Sequence, residues 1–422
     1  MKVARGYKTE LDLTNEQRTA CLKHAGASRF AYNWGLFPSK EAYRTSGKRP
    51  TAVDLHKELN ALKQSEYPWM YEVSKCPPQE ALRDLDKAYK NFFRRVELKK
   101  QGLWLGKLGY PKSKKRSKAI GSFRLTGSIH VSSDAVQLPR LGRLRLHEHD
   151  YIPTSAKVLS ATVSEQAGRW FVSVQVEEEQ EKPAPTATAT IGVDLGIKTL
   201  ATLSDGTIFE NPRALKHAQK KLKRLERQKS RRKKGSKNRA KTRQAIAKVH
   251  ARIAHIRKDA SHKLTSYLSK NHALIAIEDL HVAGMLKNHC VAQAMSDSNF
   301  GEIRRQLEYK SRLYQTHLVV IDRFYPSSKT CSGCGYIKPE LSLDERTYVC
   351  EDCGLVLDRD LNAAVSLRTV AMSSIATQNA YGERSTGVFN GTRETALVEV
   401  GTNQHLGDVL HVQVLENGCT IS

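Results

Sequence analysis

Positions 3–11 alternate loosely between apolar and polar residues, the pattern of a half-exposed strand. Thr14 and Gln17 then form a capping-box signature ahead of a helical stretch through about Phe37. Tyr43, Leu55, Leu59 and Leu62, and later Leu82, Leu85, Tyr89, Phe92 and Phe93, recur at helical spacing, which predicts a helical module over residues 13–108. Residues 123–131, 135–146, 157–166 and 169–176 read as antiparallel strands, the last two joined by a short turn at Gly168. With the N-terminal strand they are expected to close a small β-barrel over residues 1–12 and 109–181. The Pro/Ala/Thr stretch 182–190 is the clearest linker in the chain.

Beyond the linker the pattern changes. An apolar strand contains Asp194, a partner strand runs through Leu203, Asp205-Gly206 supplies a hairpin turn, and a third strand lies near Ile208. Two apolar runs, 273–277 and 318–321, end in Glu278-Asp279 and in Asp322, with a helix over 300–316 between them. This alternation predicts an α/β sheet over residues 191–322, completed by a last helix over 357–370 that is led by Asp358-Arg359-Asp360. Residues 371–422 show no sustained periodicity and are expected to form a weakly ordered tail. No apolar run approaches the roughly 20 residues that span a bilayer, and the N-terminus lacks a secretory signal pattern, so a cytoplasmic protein without a membrane segment is expected.

Charge narrows the partner. Lys and Arg outnumber Asp and Glu by 69 to 43, a formal charge of +26, which favours a polyanion. Nucleic acid fits better than an anionic membrane, because neither a basic amphipathic helix with exposed aromatics nor a lipidation motif is present. The charge is concentrated. Residues 213–258 hold 20 Lys or Arg and one acid, Glu226, over a leucine and isoleucine spacing that suits two helices broken at Lys234-Gly235-Ser236. Like charges at this density repel unless phosphates or counter-ions neutralise them, although a solvated helical hairpin without a ligand has the same pattern. Lys229, Arg231, Arg232, Lys233, Lys234, Lys237 and Arg239 in this arm are candidate phosphate contacts. So are Lys112, Lys114, Lys115, Arg116 and Lys118 in a proline-punctuated basic loop.

Of the eight cysteines, Cys331 with Cys334 and Cys350 with Cys353 form two C-x-x-C pairs fifteen residues apart, while Cys21, Cys76, Cys290 and Cys419 are single. Two such pairs suit a tetrahedral Zn²⁺ in a ribbon over residues 323–356; a redox dithiol is the alternative. Four thiolates leave no open position, so one structural Zn²⁺ is expected rather than a catalytic one. A second constellation comprises Asp194, Glu278, and Asp358 or Asp360. Each ends an apolar run or opens a helix. Carboxylates so placed could hold a pair of Mg²⁺ or Mn²⁺ ions for phosphodiester hydrolysis. Individually they have plainer readings: a turn cap at Asp194, an ion pair at Glu278, and a helix N-cap at Asp358 or Asp360. Spacing does not choose between the last two. Since only seven positions separate Cys353 from Asp360, the ribbon and this site must be neighbours.

The segments GVDLGIK around Asp194, IEDL around Glu278, FYPSSKTCSGCG, and CEDCGLVLDRDLNAA together resemble the TnpB family, transposon-encoded nucleases related to type V CRISPR effectors. The resemblance covers most of residues 1–368, including SRFAYNWGL and AYKNFFRR, and is more specific in the C-terminal half. It implies a bilobed protein: a RuvC-like, RNase H-type core with an inserted Cys₄ zinc ribbon, a helical recognition lobe and a wedge-like barrel. It also implies that Asp194, Glu278 and Asp360, in preference to Asp358, bind two Mg²⁺. A guide RNA would supply specificity for a double-stranded DNA target, with the protein reading a short adjacent motif. One protein chain per RNA, close to the nucleoid, is the expected assembly. A transposase acting on element ends, a nuclease-dead guided repressor and a non-catalytic zinc-ribbon binding protein are the competing readings.

Overall fold

In the computed structural model, the Thr14 hydroxyl accepts the Gln17 backbone N–H, and the Gln17 side chain accepts that of Thr14. From this cap α1 (Asn15–Ser46) runs well past the expected end near Phe37, through Pro38, and stops at Gly47 in the left-handed conformation. A proline inside a helix removes one backbone hydrogen bond. Packing offsets that loss: Ala31 and Tyr32 share a core with Leu55, Leu82, Leu85 and Tyr89 from α2 (Ala52–Leu62) and α3 (Cys76–Lys100). The structure describes residues 2–104, 106–116, 121–179, 189–342 and 344–381, with side chains to 374. Lys118, linker residues 182–188 and the tail beyond 381 lie outside the described residues. The chain divides into two compact units between Gln180 and Glu181.

The first unit joins the three helices to an antiparallel sheet. Its strands are β1 (Lys2–Asp12), β2 (Ser122–Leu125), β3 (His130–Val131), β4 (Ala135–Leu138), β5 (Gly142–Leu146), β6 (Lys157–Gln166) and β7 (Arg169–Glu179). The order β2-β6-β7-β1-β5-β4-β3 is open among the described residues, so the expected closed barrel does not form. The reason lies just after β2. Thr126 turns its carbonyl to the Cys76 thiol at the start of α3 (3.4 Å) instead of pairing with β3, and α1 and α3 pack on β2. Two expected strands are also split. Residues 123–131 break at Gly127, whose positive φ suits a turn, and residues 135–146 fold back as a hairpin through Pro139-Arg140.

The second unit carries a five-stranded sheet. Its strands are β8 (Thr190–Asp194), β9 (Thr199–Leu203), β10 (Ile208–Glu210), β11 (Leu274–Glu278) and β12 (His317–Ile321). In the order β10-β9-β8-β11-β12, the last three are parallel and β9 is antiparallel to both its neighbours. Between β10 and β11 come α4 (Ala214–Arg231) and α5 (Lys237–Asn271). Between β11 and β12 come α6 (Val282–Met285), α7 (Ala292–Ser298) and α8 (Phe300–Tyr314). A two-stranded ribbon, β13 (Thr347–Val349) with β14 (Val356–Asp358), precedes α9 (Arg359–Tyr381). Residues 371–381 are therefore helical, not part of an unstructured tail. Ala371 explains the extension: it is fully buried with Leu367, Leu274, Ala276 and Ile321.

Strand periodicity sorts the side chains of this sheet. Ile191, Val193, Ile275 and Ile277 face α5 and α8, packing with Leu264, Leu268, Ile303 and Leu307. The alternate positions Gly192, Leu274 and Ala276 face α9. Asp194 and Glu278 continue that second set, so both carboxylates emerge on the side of the sheet that α9 covers.

Candidate metal centres

Asp194 is the last residue of β8 and Glu278 the last of β11, while Asp360 lies in the first turn of α9. Three features bring them together: parallel pairing of β8 with β11, the shared strand face, and the packing of α9 on β8. Gly192 permits that packing. A Cβ on this residue would lie 1.9 Å from the Ala364 carbonyl oxygen and 2.7 Å from the Arg368 nitrogen, both backbone atoms of α9. The consequence is electrostatic. Burial, then the charge of Asp360, then that of Glu278, push the Asp194 carboxyl up to about 7, against a smaller opposing effect of Arg359. Burial, with Asp279 beside it, also raises Glu278.

Asp358 has a different occupation. Its Oδ1 accepts the backbone N–H groups of Asp360 (2.9 Å) and Leu361 (3.1 Å), so it is the N-cap of α9. It is also the weakest of the acidic influences on Asp194. The N-cap reading of this triplet thus falls to Asp358, while Asp360 acts electrostatically on Asp194. Among the described residues, however, only the four cysteines form a group of three or more potential metal ligands with all ligand atoms within 4.8 Å. The carboxylates are a looser cluster of hard oxygen donors, suited to divalent cations with water in the remaining positions.

The cysteine group can hold a metal ion. Cys331 Sγ lies 3.6 Å from Cys353 Sγ, and Cys334 Sγ lies 3.5 Å from Cys350 Sγ. These separations approach the edge of a tetrahedron with Zn–S bonds of about 2.3 Å, whose edge is about 3.8 Å. Each pair sits in a matching turn: the Gly335 N–H donates to the Cys331 carbonyl and the Gly354 N–H to that of Cys350. Both glycines have positive φ. Backbone N–H groups, Cys353's first, bring the Cys350 thiol down to about 7. The ribbon is tied to α9 through Asn362, which is fully buried. Its side chain accepts the Ser332 N–H (2.9 Å) and donates to the Thr330 carbonyl (2.8 Å), bracketing Cys331. Asn362 is two residues from Asp360, so ribbon and carboxylate share one anchor.

The basic candidates are less uniform. In the first unit Lys112, Lys115 and Arg116 are exposed. Lys114 is exposed as well but pinned: its backbone N–H and carbonyl pair with the Asn33 side chain, and its ammonium lies over the Tyr32 ring (4.1 Å). In the arm, Arg231, Lys233, Lys234 and Lys237 are exposed. Lys229 pairs with Glu226 within α4, while Arg232 bonds the Asn238 carbonyl and Thr242 and Arg239 bonds the Arg232 carbonyl, so these two arginines stitch the hairpin together.

Pattern reading missed two acids. Asp297, nearly buried, accepts the Leu215 and Lys216 N–H groups at the start of α4 and the Arg257 side chain, anchoring the basic arm to the core. Asp279 binds Arg304 with one oxygen and Arg323 with the other. Burial opposes its ionisation, but the two guanidinium groups hold it below the usual carboxylate range. No local spacing marks either residue, because their partners lie 25 or more positions away.

Comparison with known proteins follows the same residues. The family model OrfB_IS605, described as "Probable transposase", matches residues 161–289; "Cas12f1-like, TNB domain" matches 300–367 and "Helix-turn-helix domain" matches 1–48. That last segment contains β1 and one long helix here. A Streptomyces pristinaespiralis protein named "Putative RNA-guided DNA endonuclease" is 37% identical, covering 89% of this chain and 91% of its own. InsQ of Escherichia coli K12, named likewise, is 32% identical over 89% and 94%. Two solved structures align at longer range. The Cas12f1 complex with sgRNA and target DNA has a TM-score of 0.33 and 15% identity, over 87% of this chain and 99% of that one. The mini-RNA-guided endonuclease CRISPR-Cas_phi3 has a TM-score of 0.43 and 9% identity, over 89% and 92%. Likenesses this distant bear on nothing further. The identity with the Streptomyces and E. coli proteins, sustained along nearly the whole of each chain, makes this chain a member of the TnpB family, the OrfB proteins of IS605-type transposons.

Proposed function

We propose that the chain is a transposon-encoded, RNA-guided endonuclease that cuts double-stranded DNA beside a short adjacent motif, using Asp194, Glu278 and Asp360 as ligands for two Mg²⁺ ions. The observation that carries the hydrolytic part is the Asp194 carboxyl, pushed up to about 7 by burial and two facing acids. A site that gathers several carboxylates against the smaller opposing effect of one arginine is one prepared for cations. When bound, the ions would supply an activated water and neutralise charge on the leaving oxygen. The residues provide the rest. The two strand ends hold Asp194 and Glu278 in register, the Asp358 cap fixes the first turn of α9 and so orients Asp360, and Asn362 ties that turn to the ribbon. The cysteine quartet takes one structural Zn²⁺. Arg231, Lys233, Lys234 and Lys237 on the arm, with Lys112, Lys115 and Arg116 in the first unit, contact phosphates of guide RNA and target.

The test is direct. The purified protein should carry an RNA of discrete sequence and cut DNA matching its guide segment only when that RNA and Mg²⁺ are present. RNA-free protein that joins transposon ends would instead favour a transposase, the reading favoured by the description of the OrfB family model.

Two further outcomes are expected. Mg²⁺ binds the deprotonated carboxylates, so below pH 7 its binding competes with the proton on Asp194. The Mg²⁺ concentration giving half-maximal cleavage should fall about fivefold between pH 6 and 7 and level off above about pH 8. A profile flat over this interval would remove Asp194 from the binding site. For the ribbon, Cys331→Ser should lower zinc, measured by elemental analysis, from about one per chain to near zero. Cleavage should fall at least about tenfold with RNA binding retained, because the Asn362 anchor beside Asp360 loosens.

A further inference from the structure

Phe324 is the most exposed large apolar side chain among the described residues, at 86%. Leaving a phenyl ring in water forgoes most of the stabilisation its burial would give. The ring is nevertheless held outward by anchored neighbours. Asp322 Oδ1 accepts the Phe324 N–H (2.8 Å), and the Asp322 carbonyl accepts that of Tyr325 (3.0 Å). On one side Arg323 is clamped by Asp279; on the other, Tyr325 packs into the core beneath α9. Residues 322–325 therefore form a braced turn presenting one aromatic ring and one partly exposed guanidinium.

Its position gives the turn a partner. Glu278 pairs in register with Ile321, the last residue of β12, and the Asp279 N–H bonds the Ile321 carbonyl (2.9 Å). One strand spacing and three residues of chain put the Phe324 Cα within about 15 Å of Glu278. That is a span of two or three nucleotides. Asp279 holds Arg304 and Arg323, and Arg304 also pairs with Glu308, so both guanidinium groups are fixed in place beside the acidic centre. An aromatic face beside an arginine is the chemistry that binds single-stranded nucleic acid without reading its sequence.

Resting on the nuclease reading above, we propose that residues 322–325 form a seat for the DNA strand entering the carboxylate site, with Phe324 stacking on a base and the exposed edge of Arg323, held by Asp279, donating to the adjoining phosphate. Stacking there holds the strand still while its phosphate lies at the carboxylates, so Phe324 is a positioning residue.

The guide-RNA complex of the full chain tests this, with 2-aminopurine placed singly along each target DNA strand and, separately, in the guide. With Asp194→Ala present to prevent cutting, Phe324 should quench the probe at one or two DNA positions near the cut site. Phe324→Ala should restore that fluorescence and Phe324→Trp should keep the quenching. With Asp194 intact, Phe324→Ala should cut about 5- to 100-fold more slowly, as expected for loss of one stack, while Phe324→Trp stays within about threefold of wild type. Quenching of the guide instead of the DNA, or wild-type cutting by Phe324→Ala, overturns the seat and leaves the nuclease reading standing. A wild-type complex that does not cut DNA overturns both.

Discussion

Asp194→Ala should reduce cleavage of matched DNA by about 10³-fold or more while the complex still binds its guide and target, as read by single-turnover cleavage and gel-shift side by side. The size follows from the several kcal/mol that divalent cations contribute to phosphodiester hydrolysis, at about 1.4 kcal/mol per factor of ten. Asp360→Ala should match it. Asp358→Ala should not: it removes a helix cap worth roughly 0.5–2 kcal/mol and should leave most of the activity. Equal losses at Asp358 and Asp360 would contradict this division of labour. Stability moves in the opposite direction from activity. The folded-state pKa of Asp194 is raised from the ordinary value to about 7, so the folded protein holds a proton that the unfolded chain has released. The stability this group allows is full below about pH 4 and is lost as pH rises to 7. Asp194→Ala should therefore raise the Tm of metal-free protein by roughly 10 °C at pH 8, a gain that shrinks toward pH 4. A drop in Tm at pH 8 would show that the carboxylate is compensated by partners other than cations.

Gly192→Ala should damage the protein more than any other single methyl group added to this sheet. The new Cβ would sit 1.9 Å from a backbone oxygen of α9, and no side chain can swing aside to admit it. Either β8 or the helix must move, with a stability loss of about 3 kcal/mol or more by denaturant titration. Asp194 and Asp360 ride on these two elements. A shift near 1 Å in their separation should lower cleavage about 100-fold even where the variant folds. Gly301→Ala is the matched control: it lies in α8, has nothing within 4 Å of the added carbon, and should gain slightly from better helix propensity. Similar behaviour of the two variants would remove close helix packing as the device that assembles the site.

How much of this was legible in the sequence varied with the range of the interactions involved. The capping box at Thr14 and Gln17 and the turn at Asp205-Gly206 were readable because all the atoms involved lie within a few residues. So was the cysteine quartet, whose pair spacing predicts two turns that the structure contains. The apolar run 273–277 identified a buried strand but could not say which neighbour lies on each side. The barrel failed for the same reason. All five expected strands had readable patterns, yet whether β2 continues into a ladder or turns to Cys76 is a choice between distant partners. Residues 371–374 looked unpatterned because α9 there buries small residues such as Ala371.

A strongly basic protein, a four-cysteine ribbon, and three separated acids at the ends of apolar runs or the start of a helix are written in the chain itself. These are properties of composition and short-range spacing, and no tertiary contact alters them. Folding added that β8 and β11 are parallel neighbours, that Gly192 admits α9, and that Asp358 is spent on a helix cap while Asp360 acts on Asp194. Asp279 and Phe324 likewise acquire meaning only from partners brought close by folding. The physical reason is that a carboxylate's chemistry is set by burial and by charges within a few ångströms, and for this centre those charges come from residues up to 166 positions apart in the chain.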